Sequence, residues 1–390
     1  MDAARNGGQE NELATDKVNY SMKLFSAVAI VAVCAGHISS VGLSGPFNMV
    51  LPYSYQVAAF VFISGYFFSD NAIEDPWGYL VRKAGRLIVP LLLINAVYGL
   101  IAFALHQLGF NINVTLNFNS LVIEPFTTGH QFTINMPMWF LPPLFFAELF
   151  NLLTSCLLKL INCRTNCRTV EETIVFVLYM TAGAVAIALG GNEGLKPGWS
   201  LLFARTLFFL ACFGMGRFYK RVLEQYDKAR SLWYFLIVLS MQLVVIWLCD
   251  GDYTYAPSWC RFPHGIIFTY ATTILSIAFV LRVCKILAPV IAKSRTILAI
   301  ADNTFSIMCH HYFGYFLLTT LFAGMALFTP FIPHFDFAAY YDSLGYRYYP
   351  KAIESFAFLY LVAGISFSIF VHFCWRRICR YARGRLQGSL

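Results

Sequence analysis

His37 is the residue of this sequence whose type and position best suit it for chemistry. It follows Ser21 by sixteen residues, or about 24 Å along a helix, and lies near the end of an apolar segment long enough to cross a membrane. Because a titratable group in hydrocarbon is costly, the imidazole must face the interior of a helix bundle. A neutral imidazole there can remove a proton from an alcohol. The alternative is a structural histidine that is hydrogen-bonded to a neighbouring helix.

Other polar side chains also fall inside apolar segments. Glu148 and Arg205 could form an ion pair between two helices, or both could contact a substrate. His310 and His311 are adjacent near the start of a late segment. Since neighbouring residues on a helix point about 100° apart, at most one of these two faces a given cavity. A purely structural role is the alternative for Glu148 and Arg205.

A basic cluster precedes the apolar segment that begins at Leu87. It consists of Arg82, Lys83 and Arg86. Lys83 and Arg86 are three residues apart, so on a helix they share a face and could hold adjacent phosphate groups. The alternative is a cluster that only sets the orientation of the chain in the membrane.

The composition of the chain indicates that its solvent is a lipid bilayer. Of its 390 residues, 58% are hydrophobic and only 12% are charged, which excludes a water-soluble globule. The net charge of +8 does not indicate a nucleic-acid partner, because the basic residues lie beside apolar segments rather than on one polar face. Each of ten apolar segments predicts a membrane-spanning helix. They are approximately 22–41, 51–68, 87–106, 138–160, 172–190, 200–216, 231–249, 264–288, 304–328 and 355–375.

The distribution of basic residues predicts which connections face the cytoplasm. Twenty-three of the 28 Lys and Arg residues fall on alternate connections or near the termini, four fall on the opposite connections, and Arg205 lies within a span. Positively charged connections stay on the cytoplasmic side, so we expect a multi-pass protein of the cell membrane with both termini in the cytoplasm. The predicted fold is an all-α polytopic bundle. It has a polar N-terminal segment (1–20), a membrane domain (21–377) and a basic tail (378–390).

Two connections predicted to lie outside, 107–137 and 329–354, are long and rich in aromatic residues. They could cap an external cavity and contact sugars. The alternative is that their tyrosines simply form the aromatic belt found at membrane surfaces. The sequence shows no repeated halves of the kind found in many transporters.

Several segments follow one another in an order that resembles a known family. The first span reaches His37 through an apolar run, the second contains Ser64 within the aromatic-rich segment 60–68, and Lys83 and Arg86 follow. Later segments in the same order are Met138-Trp139-Phe140-Leu141, Gly214-Met215-Gly216 and the run from Asn303 to His311. Together they resemble the acyltransferase-3 family of integral membrane acyltransferases, which modify sugars and cell-envelope glycans. The resemblance covers nearly the whole chain.

The resemblance implies a membrane O-acyltransferase, most simply an O-acetyltransferase. Such an enzyme moves an acyl group from cytoplasmic acyl-CoA to a hydroxyl of an extracellular or envelope polysaccharide. His37 would be the catalytic residue, as a general base or as a brief carrier of the acyl group. The residues that would contact acyl-CoA are Lys23, Arg82, Lys83 and Arg86, and the candidate supporting residues are Ser64, Trp139, Glu148, Arg205 and His311. The expected partners are acyl-CoA, a glycan or lipid-linked sugar and the bilayer, with no metal and no bound cofactor.

One position departs from the family pattern. The family usually carries a basic residue about eleven positions before the first-span histidine, and Ser26 stands at that position here. Lys23 is the nearest cation. It lies about 21 Å from His37 along a helix, so it would meet the phosphates of the donor at the cytoplasmic edge rather than the imidazole.

Two other functions remain open from the sequence. A transporter or flippase for lipid-linked sugars would use His37, Glu148 and Arg205 to line a pathway without forming an acyl bond. A structural assembly protein of the cell envelope would leave His37 dispensable. The absence of repeated halves argues against a transporter.

Overall fold

The computed structural model describes residues 18–38, 49–112, 114–160, 168–330, 332, 334–350 and 356–387, with side chains as far as Tyr381. Within these residues the protein is helical, without a β-strand. The α-helices of the described part are α1 (Tyr20–Gly36), α2 (Gln56–Tyr66), α3 (Asn71–Glu74), α4 (Pro76–Gln107), α5 (Glu124–Thr127), α6 (Leu141–Leu160), α7 (Arg168–Gly190), α8 (Trp199–Phe218), α9 (Ser231–Leu248), α10 (Gly265–Ile291), α11 (Arg295–Asp302), α12 (Thr304–Phe328), α13 (Phe337–Asp342), α14 (Leu344–Tyr348) and α15 (Ala357–Gln387). The predicted polar segment up to residue 17 and the loop cations Arg164 and Lys351 lie outside the described residues.

All ten predicted apolar segments coincide with helices. Eight of these helices in the described chain are long and apolar enough to cross a membrane. The other two, α1 and α2, are apolar but have only 17 and 11 residues. The protein is therefore an all-α polytopic membrane protein, in which the first two membrane helices are shorter than predicted.

The helix α4 begins at Pro76, eleven residues before the predicted span. The side chain of Asp75 accepts a hydrogen bond from the backbone N–H three residues further on at 2.9 Å, which caps the helix. Pro76 occupies the first turn, where the missing N–H has no partner in any case. The basic residues Arg82, Lys83 and Arg86 therefore lie on the helix itself rather than in the connection before it.

The helices α1 and α12 run parallel to each other, and they are joined by contacts at two levels. Near the start of α1, Lys23 Nζ lies 2.7 Å from a carboxylate oxygen of Asp302, two residues before α12. Just beyond the end of α1, His37 Nδ1 lies 2.8 Å from the hydroxyl of Tyr312 on α12. Both helices therefore start at the same end of the bundle and extend to the level of His37.

Glycines allow α2 and α8 to pack closely. Gly65 of α2 lies against the backbone carbonyl of Phe213, and Gly216 of α8 lies against the backbone carbonyl of Phe62. A Cβ atom at either glycine would collide with the partner helix, so only a hydrogen fits there. This contact explains Gly65 of the second span and Gly216 of the segment 214–216.

One end of the bundle, which we call the basic end, carries most of the ion pairs. It is the end at which α1 starts, and the topology prediction places it in the cytoplasm. Arg217 makes two hydrogen bonds to the buried carboxylate of Glu172 at 2.8 and 2.9 Å. Asp227 pairs with Lys285 at 2.9 Å and with Arg282. Carboxylates thus neutralise many of the cations that were predicted to lie on this side.

Candidate active site

A cavity of about 260 Å³ lies inside the bundle between α1, α2, α4, α6 and α12. Its wall follows α1 from Ser26 to His37, eleven residues or about 16 Å along the helix. Leu87 of α4 lines the cavity near the basic end, whereas Tyr53 and Ser258 line it near His37. The cavity therefore connects the neighbourhood of the basic cluster on α4 with the predicted catalytic histidine.

The wall of this cavity is mainly apolar, and no Lys or Arg is among the described residues that line it. The polar residues of the wall are Ser26, His37, Tyr53, Gln56, Ser64, Ser258 and Thr304. At the position where a basic residue is usual in the family that the sequence resembles, a small hydroxyl group faces the space. Ser26 therefore offers no positive charge that could bind a phosphate group at this depth of the cavity.

The imidazole of His37 is held on one side only. Its Nδ1 atom lies 2.8 Å from the hydroxyl of Tyr312 and 3.3 Å from the hydroxyl of Tyr53. Its Nε2 atom has no hydrogen-bond partner among the described residues, and His37 lines the cavity. When the proton is on Nδ1 and this N–H donates a hydrogen bond to the hydroxyl of Tyr312, the lone pair of Nε2 is free for a ligand in the cavity. This arrangement suits a general base whose orientation is fixed by a neighbour.

His311, the histidine at which the late family motif ends, lies against His37. The two rings stack with centroids 5.4 Å apart and planes 23° apart. The Nδ1 atom of His311 lies 2.7 Å from the carbonyl of Ile307, so this nitrogen is the donor and Nε2 is left as an acceptor. That Nε2 atom is buried without a partner in the described structure. His310, in contrast, points to the hydroxyl of Tyr98 at 2.8 Å.

Trp139 forms part of the wall at the His37 end, and Arg205 lies behind it. Trp139 lines the cavity, and the guanidinium of Arg205 lies 4.9 Å from the centre of its ring. Arg205 is 1% exposed, and it donates hydrogen bonds to the carbonyl of Ser258 at 2.8 Å and to that of Thr128 at 3.1 Å. It therefore ties two connections together behind Trp139 and does not face the cavity itself.

Ser64 lines the cavity, but its hydroxyl is already engaged. It donates a hydrogen bond to the carbonyl of Phe60, one turn earlier on α2, at 3.2 Å. Its neighbour Gly65 makes the close contact with α8. The Ser-Gly pair thus serves helix packing first, as small residues between membrane helices commonly do.

Glu148 and Arg205 do not form the ion pair that the sequence allowed. Glu148 pairs instead with Lys83 at 2.7 Å, and it is 2% exposed. Arg205 contacts Trp139, which is nine residues or about 13 Å along the chain direction of α6 from Glu148. The two charged residues therefore belong to opposite ends of the cavity.

The four cations predicted to bind acyl-CoA differ in whether a carboxylate pairs with them. Lys23 pairs with Asp302, Lys83 with Glu148 and Arg82 with Asp75, the last at 3.3 Å. Arg86 is exposed and pairs with no carboxylate in the part of the chain that the structure describes. It directly precedes Leu87, which lines the cavity. Of the four, Arg86 is thus the cation without an ion pair in the described structure, whereas Lys83, four residues before Leu87, shares the helical face of this cavity-lining residue.

Sequence reasoning missed three residues of this site. Tyr312 and Tyr53 contact His37, and Gln56 lines the cavity beside them. Tyrosines are common in this chain, and nothing in their spacing distinguishes these two. Tyr312 follows His311 directly, so its proximity to the paired histidines was the one available signal.

The family to which the protein belongs follows from comparison with known sequences. The sequence model of the acyltransferase-3 family, described as an acyltransferase domain, matches residues 19–341. The chain thus belongs to this family of acyltransferases. Comparisons with curated proteins and with solved structures gave no match.

Proposed function

We propose that the protein transfers an acetyl group from acetyl-CoA on the cytoplasmic side to a hydroxyl of an extracellular or envelope glycan. The proposal rests on one observation. The Nε2 atom of His37 has no partner in the described structure and is open to a cavity that begins next to the basic cluster of α4. Family membership supports acyl transfer. Acetyl as the acyl group and a polysaccharide or lipid-linked sugar as the acceptor are proposed by analogy with the family.

The donor would enter from the basic end. Arg86, with Lys83 and Arg82 beside it on α4, would hold the nucleotide phosphates at the cavity mouth. The wall between Ser26 and His37 extends about 16 Å. The narrow pantetheine arm would occupy this length and bring the thioester next to His37, so that the reacting atoms are already positioned.

The chemistry would then be a direct acyl transfer. Nε2 of His37 accepts the proton of the acceptor hydroxyl as its oxygen attacks the thioester carbon. A new C–O bond forms, the C–S bond breaks, and the departing thiolate of CoA takes the proton back from the imidazolium. Tyr312 would hold the ring throughout, in the way that a third group orients the base in other acyl transferases.

The test uses purified protein in sealed vesicles with labelled acetyl-CoA on one face and a surface glycan of the native cell on the other. The proposal expects labelled, alkali-labile ester on the glycan only when acetyl-CoA is on the face of the basic end. Absence of ester with acetyl-CoA on either face, in vesicles that bind acetyl-CoA, would contradict it. A transporter would instead move a lipid-linked sugar without acetyl-CoA.

A further inference from the structure

Gln56 is a buried amide that no residue of the described structure satisfies. It is 5% exposed, it lines the cavity, and its side chain makes no hydrogen bond in the described structure. Its amide atoms are not among those sealed off by protein, so they border the cavity space. An unsatisfied buried amide normally costs about 1–3 kcal/mol. Such a group in a ligand cavity is explained most simply by a ligand that pairs with it.

Three other polar groups of the wall near Gln56 are already occupied. The hydroxyl of Tyr53 contacts His37, and that of Ser64 donates to a backbone carbonyl. The carbonyl of Ser258 accepts from Arg205. Gln56 and Trp139, whose indole N–H has no hydrogen-bond partner in the described structure, are therefore the buried donors in this part of the wall that remain available to a substrate, and Gln56 is the one on the helix that follows Tyr53.

Gln56 lies at the His37 end of the cavity. It is the first residue of α2, three positions after Tyr53, whose hydroxyl is 3.3 Å from His37 Nδ1. On α2 the cavity-lining positions are Gln56, Val57, Phe60, Ile63 and Ser64, which form one helical face. The amide of Gln56 is thus on the wall along which the pantetheine arm would lie, at the end of the cavity where His37 is located.

We propose that Gln56 is a catalytic residue whose amide N–H donates a hydrogen bond to the carbonyl oxygen of the bound thioester. The inference rests on the proposed function. As the acceptor oxygen bonds to the thioester carbon, the electron pair of the C=O bond moves to this oxygen, and the amide stabilises the negative charge. The pair returns when the C–S bond breaks and CoA thiolate leaves with the proton from His37.

A neutral amide suits this role in an apolar wall. It carries no charge that would need a counter-ion in the absence of substrate, and its N–H is fixed in place before the reaction. Fixed donors of this kind are worth about 100- to 1,000-fold in kcat in other acyl-transfer enzymes. Gln56 supplies the donor that His37 and Tyr312 do not.

The experiment compares the binding of two CoA derivatives by the purified full-length protein. Acetyl-CoA has the thioester carbonyl, whereas S-ethyl-CoA has a CH₂ group in its place. The variants are Gln56→Met, which keeps the length of the side chain, and Gln56→Leu, and neither new side chain has a hydrogen-bond donor. Gln242→Met is the control, because Gln242 is equally buried but does not line the cavity.

The proposal expects wild type and Gln242→Met to prefer acetyl-CoA over S-ethyl-CoA by about tenfold, the value of one hydrogen bond. Both Gln56 variants should lose this preference while binding S-ethyl-CoA as wild type does, and kcat for transfer should fall about 100-fold or more. An unchanged preference in a Gln56 variant that still binds S-ethyl-CoA would overturn the role of Gln56 alone. A wild-type protein that binds neither compound would overturn the proposed function as well.

Discussion

The hydroxyl of Tyr312 lies 2.8 Å from Nδ1 of His37, so α12 fixes the orientation of the imidazole at the end of α1. The same two helices are joined at the basic end by Lys23 and Asp302. Two contacts, about 21 Å apart along α1, therefore hold the wall of the cavity that carries His37. The proposed reaction would depend on this alignment, since a general base must be within hydrogen-bond reach of the proton that it removes.

Loss of the Tyr312 hydroxyl should slow catalysis without changing donor binding. In Tyr312→Phe the ring of His37 keeps only the longer contact to Tyr53, at 3.3 Å. We expect kcat to fall about tenfold, which corresponds to about 1.4 kcal/mol, with the KM for acetyl-CoA unchanged. Tyr315→Phe is the matched control, because that hydroxyl donates to the carbonyl of Cys34 at 2.9 Å and does not touch His37. Equal losses of kcat in both variants would argue against a positioning role for Tyr312.

Arg86 should contribute to donor affinity. Its exposed guanidinium pairs with no carboxylate in the described chain, and Arg86 directly precedes Leu87, which lines the cavity. Replacement by Gln removes one charge-assisted contact to phosphate, so we expect acetyl-CoA to bind about tenfold more weakly in a titration at low salt. Lys228→Gln, which removes an exposed cation at the same end of the bundle, should leave the affinity unchanged. A Kd for Arg86→Gln equal to that of wild type would remove Arg86 from the donor site.

Lys83 should matter for stability because it neutralises Glu148. In Lys83→Met the carboxylate, only 3% exposed, loses its partner at 2.7 Å. We expect the free energy of unfolding to fall by about 1–3 kcal/mol and the melting temperature with it, since an unpaired buried charge is costly. The double variant Lys83→Met/Glu148→Gln should recover most of the loss. If the double variant melts no higher than the single one, the ion pair is not what stabilises this part of the bundle.

Asp227 should make the stability of the basic end sensitive to acid. Burial alone would raise the pKa of Asp227, but the hydroxyl of Tyr219 at 2.6 Å, the ammonium of Lys285 and the guanidinium of Arg282 together hold this pKa below its ordinary value of 3.8. A carboxyl whose pKa is lowered by folding stabilises the protein at pH values above its ordinary pKa, and this contribution is lost as the pH falls below that value.

The difference in melting temperature between wild type and Asp227→Asn should therefore be constant from about pH 7 to about pH 5 and should shrink below about pH 4. Asp342→Asn changes an exposed aspartate without an ion pair in the described structure, and it should show little difference from wild type at any pH. A wild-type advantage over Asp227→Asn that persists to pH 3 would show that the charge of Asp227 is not its source.

Much of the fold was predictable because apolar length alone identifies membrane helices. All ten apolar segments became helices, and His311, the histidine at which the late family motif ends, stacks on His37. The early start of α4 was missed because Asp75 and Pro76 lie outside the apolar run. A helix cap is a local signal that hydropathy does not register.

The partners of the polar residues could not be predicted from the sequence. The sequence allowed an ion pair between Glu148 and Arg205. Lys83 is the partner of Glu148 instead, because α4 packs beside α6 at the basic end. Gln56 and Tyr312 could not be assigned to the site from the sequence, because their place in it depends on which helices pack against theirs. Neighbour relations between membrane helices depend on packing of apolar surfaces, which the order of the segments does not specify.

The most direct test of the central claim is the rate of acetyl transfer from acetyl-CoA to the glycan in sealed vesicles by His37→Ala and His310→Ala. Both variants remove a histidine near the middle of the bundle, but only His37 lines the cavity. We predict that His37→Ala loses about 100- to 10,000-fold in rate while still binding acetyl-CoA, and that His310→Ala stays within a few-fold of wild type. Transfer by His37→Ala at the wild-type rate would contradict the account.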